Sequence, residues 1–370
     1  MSASEQEESE YYSCPIVEGF DFGTALQNVY PILSIIFRGL PAKDLNNAAQ
    51  ISEVWAEYAQ KELTSRRYHG QFHVIQTGPS KFRLETSPNF NLVNGECTII
   101  FGTTKLKRYT RKLSMNRKVP LFMDITQDKE LDLAHLKGYG YLVHKMFPLE
   151  RRVVGHGFVV PKIDNLTVEL YTNGFEKDIS KVIEKGLKVR AMMYLCSRRS
   201  INGTNPGQNL TEILKHQNYK KFPLAGGYVM EAMDETYALS RATHRYLIPS
   251  HYALLFLTPP DNTTFEAYSI LIIDESHTVE MLQKVKPNII LKSHSIAYIF
   301  QCIKIRVIDS AREFNLVFPT VDCTVVNCEG EIGWSSHGVF SEDDYNPKKK
   351  LKYFPVSHTF SITILILTWD

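Results

Sequence analysis

The sequence predicts a mixed α+β protein in which a small unit of three short helices precedes a larger α/β body with mixed sheets. Between positions 26 and 63 the apolar residues recur every three or four positions, which is the spacing of amphipathic helices. Between positions 139 and 300 helical segments alternate with short apolar runs bounded by turn residues, a pattern typical of strands. The apolar run at 357–367 predicts a further strong strand near the C-terminal end of the sequence.

The helical unit is predicted in three segments. Leu40-Pro41 ends the first helix, because the residue before a proline is disfavoured in the α region. A second turn follows around Asp44-Leu45, and a third segment repeats the helical spacing. The apolar positions are Leu26, Val29, Tyr30, Leu33, Ile36, Phe37 and Leu40 in the first segment and Ile51, Val54, Trp55, Tyr58 and Leu63 in the third. Because so small a unit is marginal alone, we expect it to share its apolar faces with a partner or a neighbouring domain.

Turn residues and periodicity predict the elements of the body. Strands are expected at 97–101, 189–196, 251–257 and 267–273, and helices at 176–184, 209–216 and 278–285. Gly186 is placed to end the first of these helices in a left-handed conformation. The run at 296–305 fits a helix or a strand equally well. Residues 222–227 predict a tight loop, and 318–333 predict a strand that leads into a glycine-bounded turn.

Charge and composition restrict the class of protein. The 42 basic and 40 acidic residues among 370 give a net charge of +2, which makes no strong case for a nucleic-acid or membrane partner. The N-terminal residues are acidic, unlike a signal peptide. The apolar run at 360–369 is shorter than the roughly 20 residues that span a bilayer. We therefore expect a cytoplasmic and nuclear protein. The basic run at 105–118 fits a solvated surface, a contact with an acidic partner, a nuclear import signal or a nucleic-acid contact. A nucleic-acid contact predicts salt-dependent retention on DNA or RNA.

The sequence predicts neither catalysis nor a metal site. It contains no P-loop, GxGxxG, HExxH or GxSxG motif, and its six cysteines form no CxxC pair. Glu329 and Glu331 flank Gly330, where we expect an exposed turn rather than a pair of catalytic carboxylates. Cys196, which precedes Arg198 and Arg199, and the pair Cys323 and Cys328 fit either reactive thiols or small buried hydrophobic residues.

The helical unit resembles the F-box, through Ile36-Phe37, Leu40-Pro41, Asp44-Leu45, Ile51 and Trp55. One departure is that Asn28-Val29 stands where a Leu-Pro usually opens the motif. The resemblance implies docking on the Skp adaptor of a cullin–RING ubiquitin ligase. The residues expected to present the apolar face to the adaptor are Val29, Leu33, Ile36, Leu40, Pro41 and Leu45. Ile51 and Trp55 are expected to hold the third helix against the first two.

The C-terminal part of the body resembles the FIST domain, which occurs in bacterial sensory proteins and in F-box proteins. The resemblance rests on Gly-Glu-Ile-Gly at 330–333, the His-Thr-Phe-Ser run at 358–361 and Phe-Pro-Leu-Ala-Gly-Gly at 222–227. The acidic composition of the N-terminus and the two resemblances together predict four regions: a disordered acidic tail (1–20), the F-box (21–66) and two FIST-like parts (67–245 and 246–370). We expect substrate contacts in glycine loops, at Gly226, Gly227, Cys328, Gly330, Glu331, Ile332 and Gly333, because loops at strand ends expose backbone groups to partners.

Together the two resemblances imply a substrate-recognition subunit of an SCF (Skp–cullin–F-box) E3 ubiquitin ligase that directs proteins to degradation. Such a subunit is not itself an enzyme and needs no cofactor. The resemblance also implies protein targets that include histone demethylases and transcription regulators. The alternative is a small-ligand-binding sensor or scaffold that works through the FIST-like body.

Overall fold

The structure, a computed structural model, describes residues 30–78, 81–87, 90–103, 121–127, 152–171, 185–197, 210, 222–229, 231–233, 251–273, 277–302, 310–328, 330–336, 357–358 and 361–370. The acidic tail, the basic run and the predicted helix at 176–184 lie outside these residues, as does the predicted helix at 209–216 apart from Leu210. The chain separates into two compact units, and the division falls between Leu63 and Thr64. The predicted boundary at 245 lies outside the described residues.

The N-terminal unit contains the three short helices that the spacing predicts: α1 (Tyr30–Gly39), α2 (Ala42–Ala48) and α3 (Glu53–Ser65). The side chain of Ser52 caps α3, because its Oγ accepts a hydrogen bond from the Trp55 N–H at 3.2 Å. A small core joins the three helices, and its fully buried side chains include Leu33, Phe37, Leu45, Ala59 and Leu63.

The second unit consists mainly of strands, numbered in chain order: β1 (Gly70–Gly78), β2 (Lys81–Thr86), β3 (Gly95–Thr103), β4 (Leu121–Gln127), β5 (Arg152–Pro161), β6 (Thr167–Tyr171), β7 (Lys188–Ser197), β8 (Leu224–Val229), β9 (Glu231–Met233), β10 (His251–Thr258), β11 (Phe265–Ile272), β12 (His294–Cys302), β13 (Asp322–Cys328), β14 (Glu331–Trp334), β15 (Ser357–His358) and β16 (Ile362–Trp369). Its two described α-helices are α4 (Thr278–Val285) and α5 (Ser310–Val317). Short 3-10 turns lie at Phe90–Leu92 and Lys286–Asn288.

These strands form three mixed sheets, so the protein belongs to the mixed α+β class, as the sequence predicts. The strand order is β2-β1-β5-β3-β4-β9 in the first sheet, β15-β14-β8-β7-β10-β6 in the second and β11-β16-β12-β13 in the third. One pair of neighbours in each sheet is parallel: β3 with β4, β7 with β8 and β12 with β13. The other described pairs are antiparallel.

One apolar core receives side chains from all three sheets. Phe101 and Phe158 of the first sheet meet Tyr298 of the third edge to face, with ring centroids 6.1 and 5.7 Å apart. Behind the third sheet, α4 and α5 pack on its other face and close a second core. Every residue of β16 is buried, because this strand lies at the centre of a sheet that is covered on both sides.

Several predicted elements of the body are confirmed. The helix at 278–285 has the predicted bounds, and the strands predicted at 97–101, 189–196, 251–257 and 267–273 correspond to β3, β7, β10 and β11. Gly186 has a φ of 68°, the left-handed conformation expected of it. The run at 296–305 forms a strand as far as Cys302.

Two predictions for the body are wrong. Residues 222–227 are not a tight loop, because Leu224 begins the interior strand β8. The single strand predicted at 357–367 is two strands in different sheets: β15 pairs with β14 in the second sheet, and β16 lies between β11 and β12 in the third. The glycines of β8 serve close packing between strands, and this use of glycine has the same sequence signature as a turn.

Candidate functional site

The helical unit exposes a set of β-branched apolar side chains. Ile35 of α1 is 65% exposed, and Ile51, just before α3, is 63% exposed; Ile32, Ile36 and Val54 are also exposed. Ile32, Ile35 and Ile36 lie on one side of α1, because positions three and four apart are neighbours on a helix surface. We call these five residues the isoleucine face. A contiguous group of exposed apolar side chains, such as the three on α1, is typical of a protein-interaction surface.

The residues predicted to bind the adaptor differ in their exposure to solvent. Leu33 and Leu45 are fully buried in the core of the helical unit, so they hold the helices together and do not face outward. Leu40 and Pro41 are half-buried, Ile36 is exposed, and Val29 lies outside the described residues. Of the predicted apolar positions of the first helix, Leu33 and Phe37 are buried and Ile36 is exposed. The helical period did not show that α1 is also apolar at Ile32 and Ile35.

The roles expected of Ile51 and Trp55 now differ. Trp55 holds α3 against α1, since its ring meets the edge of Phe37 with centroids 5.3 Å apart. Ile51 does not hold the third helix, because its side chain points into solvent. The spacing of four residues suggested one shared face, but Ile51 precedes the first turn of α3, so the helical period does not apply to it.

The residues predicted to contact substrate come together in space, in neighbouring strands. β14 pairs with β8 so that Glu331 lies opposite Gly227 and Ile332 lies opposite Gly226. Cys328 ends β13 and packs directly against Gly227. We call the set Gly226, Gly227, Cys328, Gly330, Glu331, Ile332 and Gly333 the glycine cluster.

All seven residues of the glycine cluster are buried, which corrects the expectation of exposed recruiting loops. Glycine is needed here because strands approach too closely for a side chain. A Cβ added at Gly226 would overlap the carbonyl oxygen of Tyr194 in β7, and one added at Gly333 would lie 2.6 Å from the carbonyl oxygen of Leu224. The cluster therefore presents no surface to a macromolecular partner within the described residues.

Glu331 is the chemically distinctive residue of the glycine cluster. Its Oε2 accepts hydrogen bonds from the hydroxyl of Ser361 at 2.9 Å and from the Ser361 N–H at 3.3 Å. Its Oε1 is buried and accepts no hydrogen bond from the described residues. Burial raises the pKa of the carboxyl to about 7, although the Ser361 hydroxyl and N–H, the Glu331 N–H and the Cys302 thiol lower it. The expected exposed turn is thus wrong, because Glu331 begins the buried strand β14 of the second sheet.

Hydrogen bonds within the second sheet, and from the second sheet to the third, hold the glycine cluster in place. The Ser269 hydroxyl of β11 donates to the Trp334 carbonyl oxygen at 2.6 Å and accepts from the Leu224 N–H at 3.1 Å. The Trp334 ring donates to the Phe222 carbonyl oxygen at 2.6 Å. The Nε2 of His358 lies 3.0 Å from the Gly333 carbonyl oxygen. The second and third sheets are therefore joined by buried polar contacts at this point.

The glycine cluster lies near the carboxyl ends of two pairs of parallel strands. β12 and β13 are parallel and end at Cys302 and Cys328, and the parallel pair β7 and β8 ends at Ser197 and Val229. Ligands in open α/β sheets bind beyond the carboxyl ends of strands. The register places Glu331 opposite Gly227, two residues before the end of β8, so its carboxyl lies near such ends.

The thiols of the body behave as small buried hydrophobic groups. Cys196, Cys323 and Cys328 are buried, and none of the five cysteines that the structure describes forms a disulfide. Burial raises the pKa of the Cys196 thiol, which opposes formation of a reactive thiolate. The interpretation of these residues as core residues is confirmed.

Within the described ranges, no group of three or more histidine, cysteine, aspartate or glutamate residues is arranged to hold a metal ion. Among the helices that the structure describes, none is long and apolar enough to cross a bilayer. No protein-family model matches the chain, and no curated protein matches it either. The F-box and FIST resemblances therefore remain predictions from the residues themselves.

Proposed function

We propose that this protein is the substrate-recognition subunit of an SCF-type E3 ubiquitin ligase and that its helical unit binds the Skp adaptor. The isoleucine face is the observation that carries this proposal, together with the resemblance of the same helices to the F-box. Fully burying one isoleucine side chain contributes about 1.5–3 kcal/mol. Covering several of these partly exposed residues would therefore contribute a favourable free energy to association with a partner.

In this role the protein supplies proximity and does no covalent chemistry. A target held beside a ubiquitin-loaded conjugating enzyme presents its lysines at a high effective concentration, which raises the rate of transfer. The body, Thr64–Asp370, would carry the target, which we propose is a nuclear or cytoplasmic protein such as a histone demethylase or a transcription regulator. Because the glycine cluster is buried, we do not place the target on it.

The test is co-expression with the Skp adaptor followed by co-purification. We expect the wild type to co-purify and an Ile35→Asp/Ile51→Asp variant to lose the adaptor while it keeps its helical circular dichroism, because both side chains already face solvent. The matched control is Ile273→Asp/Ile290→Asp, which places the same charges on equally exposed isoleucines of the body and should co-purify normally.

Substitution of Leu45 would not test the proposal, because Leu45 is fully buried and an aspartate there would unfold the helical unit. A wild type that is soluble alone and ignores the adaptor would contradict the proposal. Loss of the adaptor in the body control as well as in the Ile35/Ile51 variant would show that added negative charge, and not the isoleucine face, decides binding.

A second candidate function is the binding of a small ligand by the body. The observation that favours it is Oε1 of Glu331, a buried acceptor that receives no hydrogen bond from the described residues, near the carboxyl ends of parallel strands. A ligand with an ammonium or amide N–H would satisfy that oxygen. A panel of amino acids and metabolites should then raise the melting temperature of the wild type but not that of Glu331→Gln. A panel that shifts neither protein would count against this candidate.

A further inference from the structure

Glu331 links the second sheet to the third. It begins β14 of the second sheet, while Ser361, which donates two hydrogen bonds to its Oε2, immediately precedes β16 of the third. Both residues are fully buried. No other aspartate or glutamate residue is fully buried among the residues whose side chains the structure describes. The carboxyl group is therefore a structural contact between two sheets, and its charge state affects that contact.

The surroundings of Glu331 supply little to balance a negative charge. Cys302 of β12 contributes a thiol, and Ser361 contributes a hydroxyl. Gly227 of β8 has no side chain. His358 of β15 lies opposite Glu331 in the register, but its Nε2 is directed to the Gly333 carbonyl oxygen. Among the described residues, no lysine, arginine or histidine forms an ion pair with Glu331.

We propose that Glu331 is held in the folded body as a neutral carboxylic acid and that its ionisation weakens the attachment of β14 to the segment that enters β16. An ionised carboxylate needs donors at both oxygens when it is buried, and only Oε2 has them. The neutral acid avoids the cost of an uncompensated charge between the sheets. This makes the contact a proton-dependent latch that is independent of adaptor binding.

The sign of the effect follows from linkage. Burial raises the folded-state pKa of Glu331 to about 7, above its ordinary value of 4.5. Between those values the folded protein binds more protons than the unfolded chain, so stability falls as pH rises through this range. The latch is closed in mildly acidic solution and weakened above neutrality.

Infrared difference spectroscopy of the full-length protein tests the protonation directly. The wild type minus Glu331→Gln spectrum should show the carbonyl stretch of a protonated carboxylic acid at pH 5–6, and the band should disappear with a midpoint near pH 7. Ser361→Ala removes a donor that favours the ionised form, so its midpoint should move to higher pH. Glu280→Gln, at an exposed glutamate of α4, is the control and should leave the band unchanged.

Amide hydrogen exchange tests the mechanical consequence. From pH 6 to pH 8 the protection factors of Ile362 and Thr363 should fall by roughly tenfold in the wild type, the change that one pKa unit represents. They should stay constant in Glu331→Gln. A spectrum without the protonated band at pH 5–6 would overturn the proposed neutral acid. A band that titrates while protection stays constant would overturn the latch. Because the infrared signal belongs to the carboxyl group itself, neither result depends on adaptor binding.

Discussion

At the scale of single residues, Gly226 has the tightest steric requirement in the glycine cluster. Its position faces the backbone of Tyr194 in the parallel strand β7, and an added Cβ would lie 2.6 Å from the Tyr194 carbonyl carbon. Backbone on both sides cannot move without breaking the β7–β8 pairing. We therefore expect Gly226→Ala to lower the free energy of unfolding by about 3 kcal/mol or more, at the upper end of overpacking costs. Urea denaturation measures the change.

Gly186→Ala separates steric overlap from backbone strain. Gly186 has a φ of 68°, but nothing lies within 4 Å of an added Cβ. The substitution should therefore cost only about 1–2 kcal/mol, the penalty of a left-handed conformation for a residue with a side chain. If Gly226→Ala proved no more costly than Gly186→Ala, the close strand approach would not be the reason for glycine at position 226.

Two buried hydroxyl groups, those of Ser269 and Thr98, are expected to have opposite effects on stability when they are removed. Ser269→Ala should destabilise the protein by about 2 kcal/mol, because it leaves the Leu224 N–H and the Trp334 carbonyl without their partner between sheets. Thr98→Val should be neutral or stabilising, since the Thr98 hydroxyl is buried and forms no hydrogen bond within the described residues. Thermal denaturation of both variants checks the contrast, which would be contradicted by equal losses.

At the scale of elements, the helical unit combines a very small core with an exposed apolar surface. Leu33 is fully buried between the helices, so Leu33→Ala should cost about 2–5 kcal/mol and melt the unit. Ile51→Ala removes an exposed side chain and should change stability by no more than about 0.5 kcal/mol. Limited proteolysis within positions 30–65, followed by mass spectrometry, measures both effects. Equal cleavage of the two variants would contradict the assignment of Leu33 to the core.

The elements that the sequence predicts well are those whose local signals agree. The α4 helix combines the helical period with Pro287 just beyond its end, and β7 is an apolar run bounded by charge. The prediction for β8 fails because glycine marks both turns and closely packed strands, and only the position of β7 distinguishes the two. Similarly, the 357–367 run is continuous in sequence, but its two parts pair with different sheets.

The candidate sites could be predicted only in part for the same reason. The spacing of Gly226, Gly227 and the 330–333 segment led to the expectation that they act together, and β8 and β14 do pair there. Their burial depends on the third sheet, whose strand β16 passes behind them and whose Thr363 hydroxyl is 3.4 Å from the Gly226 carbonyl oxygen. That contact joins residues 137 positions apart, and no local pattern encodes it.

At the scale of the whole molecule, one core is shared by sheets whose strands come from distant parts of the sequence. In the third sheet, β16 inserts between β11 and β12, and in the first sheet β5 inserts between β1 and β3. This arrangement buries some polar side chains on the interior strands of the sheets. His73 of β1 lies opposite His156 of β5, and both are buried. The stability of the whole protein should therefore depend on pH through groups that the local sequence does not single out.

Burial lowers the pKa of His73 to about 4. The pKa of His156 is lowered to about 3, mainly by burial and to a smaller extent by the charge of His73. Both folded-state pKa values lie below the ordinary 6.5. At pH values between 6.5 and these lowered values, the unfolded chain therefore binds more protons than the folded protein. The histidine contribution to stability is complete above pH 6.5 and is lost as pH falls towards 4. Glu331 acts in the opposite direction over part of this range, so the comparison belongs in a Glu331→Gln background.

In that background, the urea midpoint should fall steeply from pH 6.5 to pH 4.5 and should fall less steeply when His73→Gln and His156→Gln are added. The reason is that glutamine cannot take up a proton, so the variant has no buried imidazole to charge. His277→Gln, at an exposed histidine, is the control and should keep the original slope. Parallel curves with and without the two substitutions would show that His73 and His156 are not what makes the folded protein sensitive to acid.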